Sequence, residues 1–95
     1  MDIDIGRDDI EAASRRIAAD IRRTPLLRID GGQLGIDGVE LWLKLEQLQI
    51  GGSFKARGMF NRMRAASVGD AGVVVASGGN AGIAVAHAAK SLGLR

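Results

Sequence analysis

Lys55 is the residue whose type and position most favour chemistry in this chain. It follows the glycine-rich turn Gly51-Gly52-Ser53 and stands at the beginning of a predicted helix. Partial burial and the positive end of a helix dipole both favour the neutral form of a lysine amine. A neutral amine is a nucleophile that forms a Schiff base with a carbonyl group. The position therefore predicts Schiff-base chemistry, although an exposed first-turn lysine is the commoner alternative.

A second turn, Ser77-Gly78-Gly79-Asn80, follows an apolar run and precedes another predicted helix. Backbone N–H groups at the beginning of a helix favour an anion such as a carboxylate. Turns that follow two strands of a parallel sheet lie at the same edge, so Lys55 and Asn80 are expected to lie near each other. Asn80 is also a suitable N-cap, and a cap residue can still face a ligand.

Other kinds of site have weak support. The glycines at 78, 79 and 82 do not fit the G-x-G-x-x-G spacing of a dinucleotide site, and a P-loop pattern is missing from the sequence. Ser77 and His87 are not expected to form a nucleophile–base pair, because a turn and part of a helix separate them. His87 is interpreted as a helix residue that is satisfied locally. With no cysteine and one histidine in the chain, no metal site is expected.

The composition narrows the choice of partners. The 95 residues include 13 basic and 11 acidic side chains, and the arginines are not interleaved with aromatic residues as in a nucleic-acid surface. No apolar run approaches the roughly 20 residues of a membrane helix, and the acidic start is unlike a signal peptide. We therefore expect a cytoplasmic protein that binds neither nucleic acid nor membrane.

Hydrophobic periodicity predicts helices and strands in alternation. Apolar residues at helical spacing predict a first helix over residues 7–23, stopped by Thr24-Pro25. Residues 26–29 are expected to be extended, and alternation predicts a strand over 40–46. A helix follows with Ser53 as its N-cap. A β-branched run over 72–76 predicts a buried parallel strand, and residues 81–92 predict a last helix closed by Gly93.

This order predicts an α/β fold with three layers, in which parallel strands have helices on both faces. Ninety-five residues are too few to cover such a sheet on both faces and both edges. We therefore expect the chain to be a fragment of a longer protein.

Several segments together resemble the N-terminal part of pyridoxal-phosphate-dependent threonine (serine) dehydratases. The resemblance covers about residues 24–93, and its most specific part is the GSFK-x-RG segment. It reverses the preference for an ordinary exposed Lys55. The segments that carry it are Thr24-Pro25-Leu26, Leu43-Lys44-Leu45-Glu46-Gln47-Leu48-Gln49, Gly51-Gly52-Ser53-Phe54-Lys55-Ala56-Arg57-Gly58 and Ala76-Ser77-Gly78-Gly79-Asn80.

The resemblance implies a role for each residue of the two turns. Lys55 would hold pyridoxal 5'-phosphate as a Schiff base and remove the α-proton of the substrate, and Phe54 would lie against the cofactor ring. Asn80 would hydrogen-bond the ring hydroxyl. The substrate carboxylate would be bound by the loop Ser77, Gly78, Gly79 and Asn80. Elimination of the β-hydroxyl of threonine or serine then gives a 2-oxo acid and ammonia, with the cofactor as electron sink.

The resemblance also implies the N-terminal part of a two-domain enzyme of PLP fold type II. Residues 1–67 would begin the larger domain and residues 68–95 the smaller one, with the site between them and closure on substrate. The groups that bind the cofactor phosphate and face the pyridine nitrogen would lie beyond residue 95. The full-length protein is expected to be a homo-oligomer with a small amino acid as its substrate.

Departures from related families separate the possible activities. The dehydratase loop usually has histidine after the asparagine, where this chain has Ala81. Racemases of this fold carry serine at the position of Gly78, and glycine cannot act as an acid or base. β-Replacement enzymes such as cysteine synthases usually read N-P-x-G-S-x-K-D-R, whereas this chain has Ile50 and Ala56. The sequence therefore favours elimination, with β-replacement and a non-catalytic α/β fragment that binds a partner chain as alternatives.

Overall fold

The computed structural model describes residues 3–95, which form three α-helices, two β-strands and three short 3₁₀ turns. The helices and strands are α1 (Arg7–Ile17), β1 (Leu26–Asp30), β2 (Glu40–Lys44), α2 (Lys55–Ala65) and α3 (Asn80–Ser91). The 3₁₀ turns are Gly31–Leu34, Glu46–Leu48 and Ile50–Gly52. Over the described range, no helix is both long enough and apolar enough to cross a membrane.

The first helix is shorter than predicted, because it ends at Ile17 and does not continue to Arg23. The N–H of Asp20 donates to the Ile17 carbonyl at 2.9 Å and closes a tight turn. The backbone of Arg22 then bonds to a side chain: its N–H donates to Gln49 Oε1 at 2.8 Å, and its carbonyl accepts from Gln49 Nε2 at 2.9 Å. A helix that continued to Arg23 would need this N–H for its own ladder, so the bonds to Gln49 replace its last turn.

Strands β1 and β2 form an antiparallel hairpin in which Leu27 lies opposite Leu43 and Ile29 opposite Leu41. Both extended segments are where the sequence predicts them, but their pairing is antiparallel. The predicted alternation does not bury one face, since Trp42 is 57% exposed and Leu43 is 40% exposed. Both faces of the hairpin are therefore open.

The core lies among the three helices. Phe60 of α2 is 1% exposed, which places its ring at the centre of this cluster. The residues of α3 that face the core are small, and small side chains let the backbones of α2 and α3 approach closely. The apolar character of α3 is thus explained by burial, as predicted. The buried members of the core are Ile17, Ala56, Phe60, Met63, Val85, Ala88 and Ala89.

The last helix ends in a Schellman motif, as the glycine at 93 predicts. Gly93 has a φ of +70°, which a residue with a side chain rarely adopts. Its N–H donates to the Lys90 carbonyl at 3.2 Å, and the N–H of Leu94 donates to the Ala89 carbonyl at 2.8 Å. Leu94 then packs against the core. The chain is thereby turned back along the helix layer.

The parallel strand predicted over residues 72–76 is wrong for this structure. These residues have no strand assignment, and Val74 is 98% exposed. A strand needs a hydrogen-bonded neighbour, and within residues 3–95 this segment has one backbone bond of that kind, from the Val73 N–H to the Arg95 carbonyl at 2.7 Å. The β-branched run therefore has high strand propensity without a ladder.

Candidate functional site

Lys55 is the first residue of α2, as predicted, and it is half-buried. Its Nζ lies 5.3 Å from the ring centroid of Phe54, within the range of a cation–π contact. Ser53 Oγ accepts the Lys55 N–H at 3.3 Å, although the cap position itself belongs to Phe54. Gly51 and Gly52 both have positive φ, +75° and +81°. The backbone conformation therefore explains why both positions are glycine, because residues with side chains are strained at positive φ.

The second turn is organised by Ser77. Its Oγ accepts the N–H groups of Gly79 and Gly82, both at 3.2 Å. The prediction that Asn80 is the N-cap is wrong, since Gly79 occupies that position and Asn80 is the first residue of α3. The serine hydroxyl two positions before Gly79 accepts the N–H of Gly82, which the side chain of a cap residue at position 79 would otherwise bind. Asn80 is exposed, so its side chain is available to a ligand.

Gly82 is a residue of this turn whose importance the sequence analysis missed. A Cβ at this position would lie 2.4 Å from the backbone oxygen of Ser77. The loop can therefore close against the first turn of α3 only if residue 82 has no side chain. Gly78 and Gly79, in contrast, have open space where a Cβ would stand. Their backbone faces solvent and is accessible to a bound molecule.

The two turns lie at the same end of the helix pair. Near the beginning of α2, a Cβ on Gly51 would lie 3.8 Å from Ile83 Cγ2, in the first half of α3. Further along both helices, the rings of Phe60 and His87 meet edge to face with centroids 6.2 Å apart. The helices therefore run in the same direction, with Lys55 at the beginning of one. Within residues 3–95 no hydrogen bond joins Lys55 to the opposite turn directly.

A polar cluster supports the beginning of α2. Arg57 contacts Glu46 through two nitrogens: Nε donates to Oε1, and Nη2 donates to Oε2 at 3.2 Å. Thr24, which is 5% exposed, donates from Oγ1 to Glu46 Oε2 at 2.7 Å. The hydrogen bond from Arg57 lowers the pKa of the Glu46 carboxyl from 4.5 to about 2, with help from Thr24 and against the effect of burial. Glu46 is therefore ionised at neutral pH.

Sequence reasoning did not find this cluster. Thr24, Glu46 and Arg57 all lie in the segments that carry the resemblance, but their separation along the chain gives no periodic signal. A signal was present in their types, since a carboxylate, a guanidinium and a hydroxyl are natural partners. Only the fold brings them together.

A protein-family model described as pyridoxal-phosphate dependent enzyme matches residues 17–95. The L-threonine dehydratase catabolic TdcB of Staphylococcus aureus is 40% identical over 88 residues, which are 90% of this chain and 25% of that protein. The chain thus spans about a quarter of the length of this relative.

Solved structures give the same picture. A threonine deaminase from T.th. matches with a TM-score of 0.79 and 43% identity, over 94% of this chain and 32% of that one. A pyridoxal 5'-phosphate-dependent aspartate racemase matches with a TM-score of 0.83 and 35% identity, over 100% of this chain and 31% of that one. These matches confirm the predicted α/β fold class of PLP fold type II.

Proposed function

The chain belongs to the pyridoxal-phosphate-dependent enzyme family, and on that premise we propose that it serves the β-elimination of L-threonine or L-serine to a 2-oxo acid and ammonia. The observation that carries the proposal is a half-buried lysine at the beginning of α2, at the same end of the helix layer as the Ser77 turn. The dehydratase and deaminase relatives support the reaction type.

The residues of the first turn fit the chemistry of the cofactor. The aldehyde group of the cofactor reacts with an amine, and Lys55 supplies one beside the aromatic ring of Phe54. Phe54 is 60% exposed, so its ring offers an open apolar face on which a planar cofactor can lie. Asn80 is exposed and carries both a donor and an acceptor, which suit a ring hydroxyl. When bound, pyridoxal phosphate supplies the electron sink that stabilises a carbanion at the α-carbon.

Each group of this chain then has a defined task. Lys55 would hold the cofactor through Nζ, and the same nitrogen would accept the α-proton of the substrate. The loop of Ser77, Gly78 and Gly79 binds the substrate carboxylate at the beginning of α3, where the positive end of the helix dipole favours an anion. Because Ser77 Oγ already accepts from Gly79 and Gly82, the loop is organised before any substrate binds. A binding loop that is already in place favours catalysis.

The two-domain division is part of the proposal. Residues 1–67 would begin the larger domain and 68–95 the smaller one, with the site between them. Its support is the break after α2, since residues 66–79 hold no helix or strand. A hinge requires segments that can change their backbone angles. Closure on the substrate would then exclude water from the amine of Lys55.

Elimination is favoured over racemisation because of Gly78. A racemase needs an acid or base on each face of the α-carbon, and the resemblance places the second one at this position. Glycine has no side chain to exchange a proton. One structural neighbour is an aspartate racemase, so D-amino-acid formation is the activity that the test must separate from elimination.

The test uses residues 1–95 fused to the C-terminal part of the S. aureus dehydratase, referred to below as the chimera. We expect 2-oxobutyrate from threonine and pyruvate from serine, each with ammonia. Lys55→Ala should lower this rate by at least about 100-fold, because the proton-transfer group is lost. Lys90→Ala is the matched control, since Lys90 is an exposed lysine in the last turn of α3.

Four results would contradict the proposal. Formation of D-serine without ammonia would indicate racemisation, and cysteine from O-acetylserine and sulfide would indicate β-replacement. Equal activities of the Lys55→Ala and Lys90→Ala chimeras would remove Lys55 from the mechanism. A chimera that folds and binds no cofactor would support the non-catalytic alternative.

A further inference from the structure

We propose that Glu46 is a positioning residue, which fixes the first turn of α2 through Arg57 and so places Lys55 for the reaction. This inference rests on the proposed function of Lys55. Glu46 does not contact Lys55 itself. The two carboxylate oxygens of Glu46 bind Arg57, which lies two residues after Lys55 in the first turn of α2.

The carboxylate connects three separate parts of the chain. Glu46 follows strand β2, Arg57 lies in α2, and Thr24 precedes strand β1. The Thr24 hydroxyl donates to Oε2 at 2.7 Å and leaves the other lone pairs of the carboxylate for the guanidinium. A two-point contact of this kind fixes orientation as well as distance. The base of the hairpin is thereby attached to the helix that carries Lys55.

The beginning of α2 needs such an attachment because the chain before it is irregular. Between β2 and α2 lie two 3₁₀ turns and the pair of glycines with positive φ. Glycine has the largest backbone freedom of any residue. Packing of Ala56, Phe60 and Met63 holds α2 in the helix core, and the Arg57 contact ties its first turn to the hairpin.

The arrangement leaves Lys55 free for chemistry. Successive residues of an α-helix are rotated by about 100°, so positions two apart point to nearly opposite sides. Arg57 is bound to Glu46 on one side of the turn. The Nζ of Lys55 lies over the Phe54 ring instead. Fixing the guanidinium therefore fixes the Lys55 backbone without occupying its amine.

A second ion pair on the same helix provides a matched comparison. Arg64, in the last turn of α2, binds Asp20 through two nitrogens, with Nη2 to Oδ1 at 2.6 Å. It also joins α2 to a distant segment, but it lies at the end of the helix away from Lys55. If ion pairs on α2 serve only stability, loss of either pair should have the same kind of effect.

The experiment compares Glu46→Gln with Asp20→Asn in the chimera loaded with pyridoxal phosphate. Each change removes one carboxylate charge and keeps the size of the side chain. We expect Glu46→Gln to lower kcat by about 10- to 100-fold with little change in KM, which is the effect of displacing a catalytic group by about 1 Å. Asp20→Asn should leave kcat within about twofold of the parent, because Lys55 keeps its place.

A readout independent of turnover is borohydride trapping of the cofactor followed by peptide mass spectrometry. The parent and Asp20→Asn chimeras should be labelled at Lys55 in preference to Lys90, and Glu46→Gln should lose this preference. Arg57→Lys keeps the charge but loses the two-point contact, so it should show the same loss to a smaller extent. This second variant tests the inference even if Glu46→Gln does not fold.

The outcomes separate the two proposals. Failure of the parent chimera to label Lys55 would overturn the proposed function itself. Normal labelling in the parent, with Glu46→Gln and Arg57→Lys both matching Asp20→Asn in kcat and in labelling, would overturn only the positioning role of Glu46.

Discussion

Ser77 replaces the cap that the sequence assigns to Asn80, and this exchange leaves the asparagine available. The side-chain oxygen of a capping residue accepts hydrogen bonds from N–H groups of the first helical turn. Because Ser77 Oγ accepts from Gly79 and Gly82, the carboxamide of Asn80 has no such duty. The same turn thus has one side chain that organises the backbone and one, that of Asn80, that is exposed.

Gly82 gives a prediction about substrate binding. Gly82→Ala would place a Cβ 2.4 Å from the backbone oxygen of Ser77, so the loop must move away from α3. In the chimera we expect KM for threonine to rise about tenfold, because a displaced loop binds the carboxylate less well. Trapping of the cofactor at Lys55 should be unchanged. An unaltered KM would mean that the loop does not bind the carboxylate.

The matched control is Gly58→Ala in the interior of α2, where a Cβ would meet nothing within 4 Å. Alanine is favoured over glycine inside a helix by about 0.5–1 kcal/mol. Urea unfolding should therefore show a modest gain in stability for this variant. A loss would indicate that the space beside Gly58 is filled in solution.

Glu46 gives a prediction about pH. Its carboxyl has a pKa lowered from 4.5 to about 2 in the folded state, chiefly by the hydrogen bond from Arg57. The ion pair therefore stabilises the fold fully above the unfolded pKa, and this contribution is lost as the pH falls from 4.5 towards 2. The difference in unfolding free energy between the parent chain and Glu46→Gln should shrink over that range. A difference that stays constant with pH would contradict the assignment.

Among the elements, Gln49 determines where α1 ends and where the glycine turn begins. It is 2% exposed, and its amide binds the N–H and carbonyl of Arg22 and the N–H of Ile50. A single side chain thus completes the backbone hydrogen bonding of two segments. Buried polar groups in folded proteins almost always have hydrogen-bond partners, so removal of the Gln49 amide would leave the backbone groups that it binds without theirs.

Replacing Gln49 by methionine keeps its volume and removes these bonds. We expect the free energy of unfolding of the chain to fall by roughly 1–3 kcal/mol, since backbone groups lose their partners. Gln47→Met is the matched control, because Gln47 is exposed in the preceding 3₁₀ turn. Similar losses for the two variants, measured by urea unfolding, would show that the buried amide adds nothing.

The sequence predicted elements whose signal is local. Helices α2 and α3 follow from apolar periodicity between glycine turns, and Gly93 marks the end of the last one. The Gln49 and Glu46 contacts were missed, because a polar pair between distant positions leaves no periodic trace. The strand prediction for residues 72–76 failed although its local signal was strong. Their β-branched side chains favour a strand, but a strand also needs a hydrogen-bonded neighbour.

At the scale of the whole molecule, the chain is extended. Its radius of gyration is 16.4 Å, against about 12 Å for a compact domain of this length. The hairpin has two open faces, and large apolar side chains such as Leu26 and Val74 are exposed. This open surface is consistent with the lengths of the relatives, of which the chain spans about a quarter to a third.

This shape predicts the behaviour of the chain in isolation. We expect the 95-residue chain to bind pyridoxal phosphate poorly and to release no ammonia from serine, because the resemblance places the phosphate-binding loop elsewhere. Borohydride trapping should then label Lys44, Lys55 and Lys90 about equally, with selectivity for Lys55 restored in the chimera. Turnover by the chain alone, followed as ammonia release, would refute this prediction.

The exposed indole on the hairpin makes assembly of the molecule directly visible. Trp42 is the single tryptophan of a chain without tyrosine, and its Nε1 donates to Glu40 Oε1 at 2.6 Å on an open strand. When the protein is excited at the long-wavelength edge of its ultraviolet absorption, the fluorescence therefore comes from Trp42 alone. Contact of another segment or chain with that strand should move the emission to shorter wavelength, so the indole reports on packing against the hairpin.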